Sequence, residues 1–185
     1  MHMGLDMYLS KKTYVKKWGH EKPEEAFEIS VKKGGVTFPD IKTERVSYVT
    51  EEVAYWRKAN QIHGWFVNNG EEIVPDVKYS LSREDLENLL ETCKKVIEML
   101  NKSTKTSKKV VSGWSGGEQT YTDIDVYDTE DILEILPPTQ GFFFGSDNID
   151  EWYKKDIEDT IKVLEEELSI PTIGYGAEYE YYASW

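Results

Sequence analysis

The sequence is poor in the residues that build covalent or metal-bound frameworks. It has one cysteine, Cys93, and three histidines, His2, His20 and His63, among 185 residues. A single cysteine excludes an intrachain disulfide and a zinc site built from several cysteines, and it fits a reducing compartment. No two histidines have the spacing of a helical metal site such as His-Glu-x-x-His. We therefore expect no bound metal, and no motif indicates another cofactor.

Positive charge and long apolar runs are scarce as well. The 22 lysines and arginines face 35 aspartates and glutamates, which gives a formal net charge of −13. Such a chain lacks the basic footprint of a non-specific nucleic-acid binder, although an acidic surface can mimic nucleic acid toward a basic partner. No apolar run approaches the roughly 18 residues of a membrane span, and the N-terminus lacks the apolar core of a signal peptide. We expect a cytoplasmic protein with no membrane partner.

Aromatic residues are abundant, at 13% of the chain with six tryptophans and twelve tyrosines. They need either a core or a binding surface to cover them. The length suits a single domain over residues 1–185, which can bury its apolar surface without disulfides or metals. Asn101–Gly117 is the best candidate for a linker, because it is rich in lysine, serine, threonine and glycine.

Hydrophobic periodicity predicts strands at both ends of the chain and helices between them. Alternation predicts extended segments over Leu5–Val15, Ala26–Lys33, Val77–Leu81, Glu118–Tyr127 (a strand or a hairpin arm) and Gly174–Trp185. A period near 3.6 predicts helices over Ser47–Asn68, from Ser82 onward, and over Ile149–Leu168 with Asp147 as its cap. The predicted fold class is α+β, with about three helices packed on an antiparallel or mixed sheet.

The helix that follows Ser82 has the clearest apolar stripe. Asp85 at its third position fits a capped start. The stripe consists of Leu86, Leu89, Leu90, Cys93, Val96, Ile97 and Leu100. Because Cys93 lies inside that stripe, we interpret it as a core residue rather than a nucleophile.

The first predicted helix breaks the ordinary amphipathic pattern. Its apolar arc, which includes Trp56, also contains Glu52, Asn60 and His63, and Arg57 lies at its edge. Polar groups inside an apolar arc need partners when buried, so these side chains either bond one another and the backbone or receive a ligand. In the second case Trp56 would be a stacking wall, and Arg57 would bind a phosphate or a carboxylate.

A second candidate segment runs from Pro138 to Tyr153. Its glycines at 141 and 145 let the backbone approach a ligand closely, in what is either a short buried strand or a turn. The helix N-terminus that follows offers N–H groups to an anion, or is an ordinary capped start. With the first strand, the two segments supply the predicted ligand-binding residues: Tyr8, Glu52, Trp56, Arg57, Asn60, His63, Gln140, Phe143, Ser146 and Trp152.

Catalytic patterns are largely missing. The chain has no Gly-x-Ser-x-Gly elbow and no P-loop. Asp123 and Asp125 could present two carboxylates on one strand face, but exposed acid pairs are common without a metal. His63 and Glu52 could form an acid–base pair. No catalytic residue is assigned.

Three segments occur in the order MGLDMYLSKKTYV, VAYWRKANQIHGWFV and LPPTQGFFFGSDNIDEWY, before a tyrosine-rich end that finishes in Ser184-Trp185. They resemble a family of small uncharacterised proteins encoded by bacteriophages and prophages. The likeness covers most of the chain and is weakest from Lys102 to Asp131, so the resemblance implies an insertion or flexible loop over residues 102–131. The resemblance implies a phage origin and action in the host bacterial cytoplasm, where small accessory proteins often serve host takeover or counter-defence. It supplies no catalytic residues.

The leading hypothesis is a non-enzymatic, homo-oligomeric binding protein that sequesters a small nucleotide-derived immune signal, such as a cyclic nucleotide or an ADP-ribose derivative. Bases stack on tryptophan and tyrosine, and arginine binds phosphates. One alternative is an acidic inhibitor of a host protein. Another is a hydrolase or transferase that acts on nucleotides with His63 and Glu52.

Overall fold

The computed structural model describes residues 4–17, 19, 22, 24, 26–68, 74–128, 130–141, 143–171 and 177–185. The strands in these ranges are β1 (Asp6–Tyr14), β2 (Lys32–Lys33), β3 (Val36–Thr37), β4 (Tyr48–Arg57), β5 (Lys78–Leu81), β6 (Lys105–Ser115), β7 (Glu118–Tyr127) and β8 (Glu178–Ser184). The α-helices are α1 (Asn60–Asn68), α2 (Arg83–Lys102), α3 (Glu130–Ile135) and α4 (Glu151–Ser169).

A four-stranded antiparallel sheet with the order β4-β1-β8-β5 forms the centre of the protein. Helices α2 and α4 pack against each other and share one hydrophobic core with the inner face of this sheet. Helices on one face of an antiparallel sheet are an α+β architecture. The predicted fold class is therefore confirmed. None of the helices in the described ranges is both long enough and apolar enough to cross a membrane.

Alternation along β1 sets the two faces of the sheet. Met7 and Leu9 are fully buried on the inner face, whereas Tyr8 between them lies on the outer face. Tyr8 sits opposite Tyr55 of β4 and Tyr182 of β8, at ring-centroid distances of 5.1 and 5.9 Å. The strand predicted at this end of the chain is confirmed, and its outer face carries a row of tyrosines.

Helix α2 begins at its predicted cap. The Ser82 hydroxyl accepts a hydrogen bond from the Asp85 backbone N–H, and the Asp85 carboxylate accepts one from the Ser82 backbone N–H. Cys93 is fully buried in the predicted stripe, and burial raises the pKa of its thiol to about 12. The thiol stays protonated at neutral pH, so Cys93 is the core residue that the sequence predicts.

Helix α4 begins at a different cap from the predicted Asp147. Asp150 Oδ1 accepts hydrogen bonds from the backbone N–H groups of Trp152 and Tyr153, at 2.9 and 3.1 Å. Both aspartates fit the cap pattern in sequence, but a backbone bridge from Asp150 to Val126 of β7 fixes where the helix starts. The inner face of α4 is as predicted, with buried Tyr153, Ile157, Thr160 and Leu164.

The predicted helix Ser47–Asn68 is wrong over its first half, which is β4 and pairs with β1. This stretch is rich in β-branched and aromatic residues, which favour strands. Tyr55 is exposed and Trp56 is buried, as the period of two along a strand requires. Lys58 adopts a left-handed conformation with φ 63°, which ends the strand, and α1 starts at Asn60.

The predicted linker Asn101–Gly117, which overlaps the predicted insertion or loop 102–131, is largely regular structure. Strands β6 and β7 form a long hairpin that turns at Gly116-Gly117, both with positive φ. Valine and threonine favour the strand state there, although the composition of the segment suggests a linker. The hairpin arm predicted at Glu118–Tyr127 is confirmed.

Two other strand predictions have different outcomes. The strand predicted over Ala26–Lys33 shrinks to the two residues of β2, which pair with β3 across a turn at Gly34-Gly35. Phe27 is exposed and lies outside this short pairing. The terminal strand predicted over Gly174–Trp185 is confirmed as β8, while residues 172–176 lie outside the described residues.

Candidate functional site

Asn60 is a structural tie between α1 and the segment before α4. Its Nδ2 donates to the carbonyls of Phe144 and Ser146 at 3.2 and 2.8 Å, and its Oδ1 accepts from the Thr139 backbone N–H at 3.0 Å. The residue is buried, and these three bonds use both of its side-chain amide atoms. Of the two predicted roles, internal bonding is therefore the one that Asn60 performs.

His63 is also committed to the interior. Its Nδ1 lies 2.8 Å from the Tyr181 hydroxyl, and its ring packs edge-on against Phe144 and Trp185. The residue is 2% exposed. Burial disfavours the charged imidazolium and lowers the pKa of His63 to about 4, so the ring is neutral at physiological pH.

The predicted acid–base pair of His63 and Glu52 does not form. Glu52 is exposed on β4 and stands opposite Ser10 in the register with β1, whereas His63 lies in the core on α1. Trp56 is not a stacking wall, because it is buried and its Nε1 donates to Thr160 Oγ1 at 2.9 Å. These two predictions fail because Glu52 and Trp56 belong to strand β4, whereas His63 belongs to helix α1, so the three residues do not share one helical face.

Three further predicted residues make contacts outside the set formed by Asn60, His63 and Trp56. Tyr8 is on the outer face of the sheet, where it contacts other tyrosines. Gln140 donates to Asp147 at 3.3 Å on the surface. Phe143 has φ 73° and its carbonyl accepts from the Leu5 backbone N–H at 3.4 Å.

Four of the predicted residues line a cleft between the β4–α1 turn (residues 58–59) and the start of α4. The cleft has a volume of about 340 Å³. Arg57, Asn60, Ser146 and Trp152 belong to both the predicted set and the cleft wall. The full lining is Arg57, Lys58, Asn60, Gln61, Gly145, Ser146, Asn148, Asp150, Trp152, Tyr153 and Asp156.

Two cationic side chains stand on one wall of the cleft. Arg57 is half exposed, and its only ion pair among the described residues is a long one, with Nε 3.9 Å from Asp6 Oδ1. Lys58 takes part in none of the ion pairs found in the described ranges. The Lys58 stem lies against Gly145, where an added Cβ would come within 3.1 Å of Lys58 Cβ. Both charges are therefore available to an anionic group.

The opposite wall belongs to the first two turns of α4. Trp152 projects at the cleft rim with 74% of its surface exposed, although its backbone is fixed by the Asp150 cap. Asp156 lies one turn further on and accepts a hydrogen bond from Gln61 Nε2 at 3.2 Å. Burial is the largest cause that raises the pKa of Asp156, to about 6, so its carboxylate is mostly ionised at pH 7.5.

Sequence reasoning missed Lys58, Gln61 and Asp156. Lys58 belongs to the turn that was predicted to be the middle of a helix, and Gln61 lies just after it at the start of α1. Asp156 follows Trp152 by four positions, and residues at this spacing share one helix face, so the pattern around Trp152 could have indicated it. Nothing in the sequence indicates that this helix face lies opposite the β4–α1 turn.

No metal centre accompanies the cleft in the part of the chain that the structure describes, where no three potential ligands are grouped to hold an ion. Asp123 and Asp125, the acid pair noted in sequence, stand on β7 opposite Lys109 and Ser107. Comparison of the chain with protein-family models, curated proteins and solved structures yields no match.

Proposed function

We propose that this protein binds a small nucleotide-like ligand in the cleft between the β4–α1 turn and α4. One observation carries the proposal: a rim tryptophan, Trp152, lines the same cleft as the partly buried carboxylate of Asp156 and the ammonium of Lys58, which has no ion pair in the described ranges. An aromatic ring suits a base, a cation suits a phosphate, and a carboxylate suits the N–H groups of a base.

The size of the cleft limits the ligand. Its volume of about 340 Å³ is near the lower end of the range for small-molecule sites. This space suits one nucleotide unit. A larger signal, such as a cyclic dinucleotide or an ADP-ribose derivative, would place one unit in the cleft and the rest outside or against a second copy of the chain.

The resemblance to phage-encoded proteins supplies a setting for such binding. A phage protein in the host cytoplasm could sequester a nucleotide signal of the host immune response and so prevent its action. Sequestration requires that the ligand is held intact. The geometry favours this, because His63 and Glu52, the candidate acid–base pair of the sequence, do not line the cleft.

Calorimetric titration with nucleoside 5′-monophosphates, cyclic dinucleotides and ADP-ribose tests the proposal. We expect binding of at least one of them, and recovery of the unaltered ligand by mass spectrometry after denaturation. Trp152→Ala should weaken binding roughly tenfold, because stacking on one aromatic side chain contributes about 1–3 kcal/mol. Its stability should stay close to that of the wild type, since the indole is largely exposed.

Trp114 provides a matched control for this variant. It is 70% exposed on the β6–β7 hairpin, away from the cleft. Trp114→Ala removes the same indole and should leave ligand affinity unchanged. Equal loss of affinity in both variants, or no binding by the wild type across the panel, would contradict the proposal. A chemically altered ligand would indicate an enzyme instead.

A second candidate function, binding of a host protein, is favoured by the β6–β7 hairpin itself. Val111 and Tyr121 face each other across the two strands, and Trp114 follows near the turn. All three side chains are at least half exposed. An exposed apolar surface of this kind is typical of a protein-interaction site.

Affinity capture from a bacterial lysate checks this second function. We expect one stoichiometric partner that is retained by Trp152→Ala and lost when Trp114→Ser and Tyr121→Ser are combined, because only the hairpin surface changes. A partner that binds both variants equally would show that the hairpin is not the contact surface.

A further inference from the structure

Asp156 lies where its carboxylate can accept hydrogen bonds from the edge of a base that stacks on Trp152. Both residues project from the same face of α4, four positions apart, and residues at this spacing have Cβ atoms about 5–6 Å apart. One carboxylate oxygen, Oδ2, accepts from Gln61 Nε2 at 3.2 Å. The adjacent Lys155 is bonded to Asp159, and no cation of the described chain pairs with Asp156. The carboxylate therefore retains free acceptor capacity toward the cleft.

An ionised carboxylate accepts hydrogen bonds and cannot donate them, so it discriminates between bases by their donors. Guanine presents two adjacent N–H donors, N1–H and the 2-amino group. Adenine and cytosine present an amino donor beside an acceptor nitrogen, which would face the carboxylate unfavourably. Uracil presents one N–H between two acceptors. Guanine is thus the common base whose donor pattern matches Asp156 best.

We propose that the ligand of this cleft carries guanine, with N1–H and the 2-amino group donated to the Asp156 carboxylate and the ring stacked on Trp152. The inference rests on the proposed nucleotide-binding function and names its base. Lys58 and Arg57, on the opposite wall, then bind the phosphate. Gln61 positions the carboxylate through its hydrogen bond.

The test is calorimetric titration of the wild-type protein with GMP, IMP and AMP at pH 7.5. IMP retains the N1–H and lacks the 2-amino group, so we expect it to bind roughly tenfold more weakly than GMP, as for the loss of one hydrogen bond to a charged acceptor. AMP lacks both matching donors, and we expect it to bind roughly a hundredfold more weakly than GMP.

Asp156→Asn replaces the carboxylate with an amide that both donates and accepts. We expect the GMP-to-AMP preference to fall at least tenfold, because the amide also matches the adenine edge. The variant should fold, because it removes a carboxylate whose burial disfavours ionisation; thermal unfolding at pH 7.5 should occur at the wild-type temperature or above. Asp159→Asn makes the same charge change on an exposed position of α4 and should keep the preference.

The possible results distinguish guanine recognition from nucleotide binding in general. Equal affinity of the wild type for GMP, IMP and AMP would overturn guanine recognition and leave nucleotide binding in place. A guanine preference that survives in Asp156→Asn would also overturn it, since another group would then read the base. No binding of any of the three, together with none in the wider panel, would overturn the proposed function as well.

Discussion

Replacing Asn60 with leucine is expected to lower the free energy of unfolding by about 3 kcal/mol, because one buried and two partly buried backbone groups lose their partner and each costs roughly 1 kcal/mol or more. These groups are the Thr139 N–H and the carbonyls of Phe144 and Ser146. Leucine has a similar size, so the loss measures hydrogen bonding more than packing. Urea denaturation at pH 7.5 measures it as a lower midpoint with an unchanged slope.

Two further variants test this prediction: Asn60→Asp changes the same site, and Asn101→Leu is a surface control. The aspartate keeps an acceptor for the Thr139 N–H but sets a carboxylate against two carbonyl oxygens, so its cost should equal or exceed that of leucine. Asn101 is exposed, and among the described residues its side chain accepts a bond from Lys154 on the surface, so its leucine variant should change stability by less than about 0.5 kcal/mol. A loss below about 1 kcal/mol in Asn60→Leu would contradict the role of Asn60 as a tie.

The second large effect is a loss of stability in acid that depends on His63. The folded-state pKa of His63 is about 4, below its ordinary value of 6.5, because the ring is buried. The unfolded chain therefore binds the proton more readily, and stability is fully present above pH 6.5 and declines as the pH falls toward 4. A shift of this size corresponds to about 3 kcal/mol lost between those limits, and somewhat less if water enters the site.

His63→Gln isolates this contribution from the carboxylates, which titrate in the same range and are common to both proteins. Glutamine does not ionise and can still bond the Tyr181 hydroxyl. We expect the stability of the variant, measured by urea denaturation from pH 7.5 to 4, to fall less than that of the wild type. Tyr181→Phe should keep the steep fall, because burial rather than the tyrosine lowers the pKa. Parallel pH profiles for wild type and His63→Gln would contradict a buried neutral His63.

Local patterns are sufficient for several elements of this fold. The cap at Ser82, the stripe through Cys93 and the alternation of Met7 and Leu9 all depend on neighbours along the chain. The prediction of a helix over Ser47–Asn68 is wrong over its first half, because the apolar residues there fit both a helical period of 3.6 and a strand period of two. Pairing with β1, which lies about forty residues earlier in the sequence, decides in favour of the strand.

The candidate site is predictable only in part for a related reason. Trp152, Arg57 and Ser146 stand out by residue type, and the structure places them in one cleft. Asp156 and Gln61 do not stand out, because an aspartate and a glutamine on helices are common. They belong to the site because α4 approaches the β4–α1 turn, and no local sequence pattern predicts this approach.

The fold and the cleft are linked through Asn60. This residue fixes the Ser146 carbonyl from inside, while Ser146 lines the cleft. The polar residues that the sequence singles out thus divide into two groups. Asn60 and His63 stabilise the interior, and the residues available to a ligand lie nearby on the β4–α1 turn and on α4.

The most direct test of the cleft as the binding site is two-dimensional 1H–15N NMR of the wild-type protein during titration with GMP. We predict that the Trp152 indole N–H and the Gln61 side-chain amide shift together, with one dissociation constant. The indoles of Trp56, which is bonded to Thr160, and of Trp114, on the hairpin, should not move. Shifts confined to the hairpin or to the outer tyrosine face of the sheet, or the absence of any shift, would contradict the account.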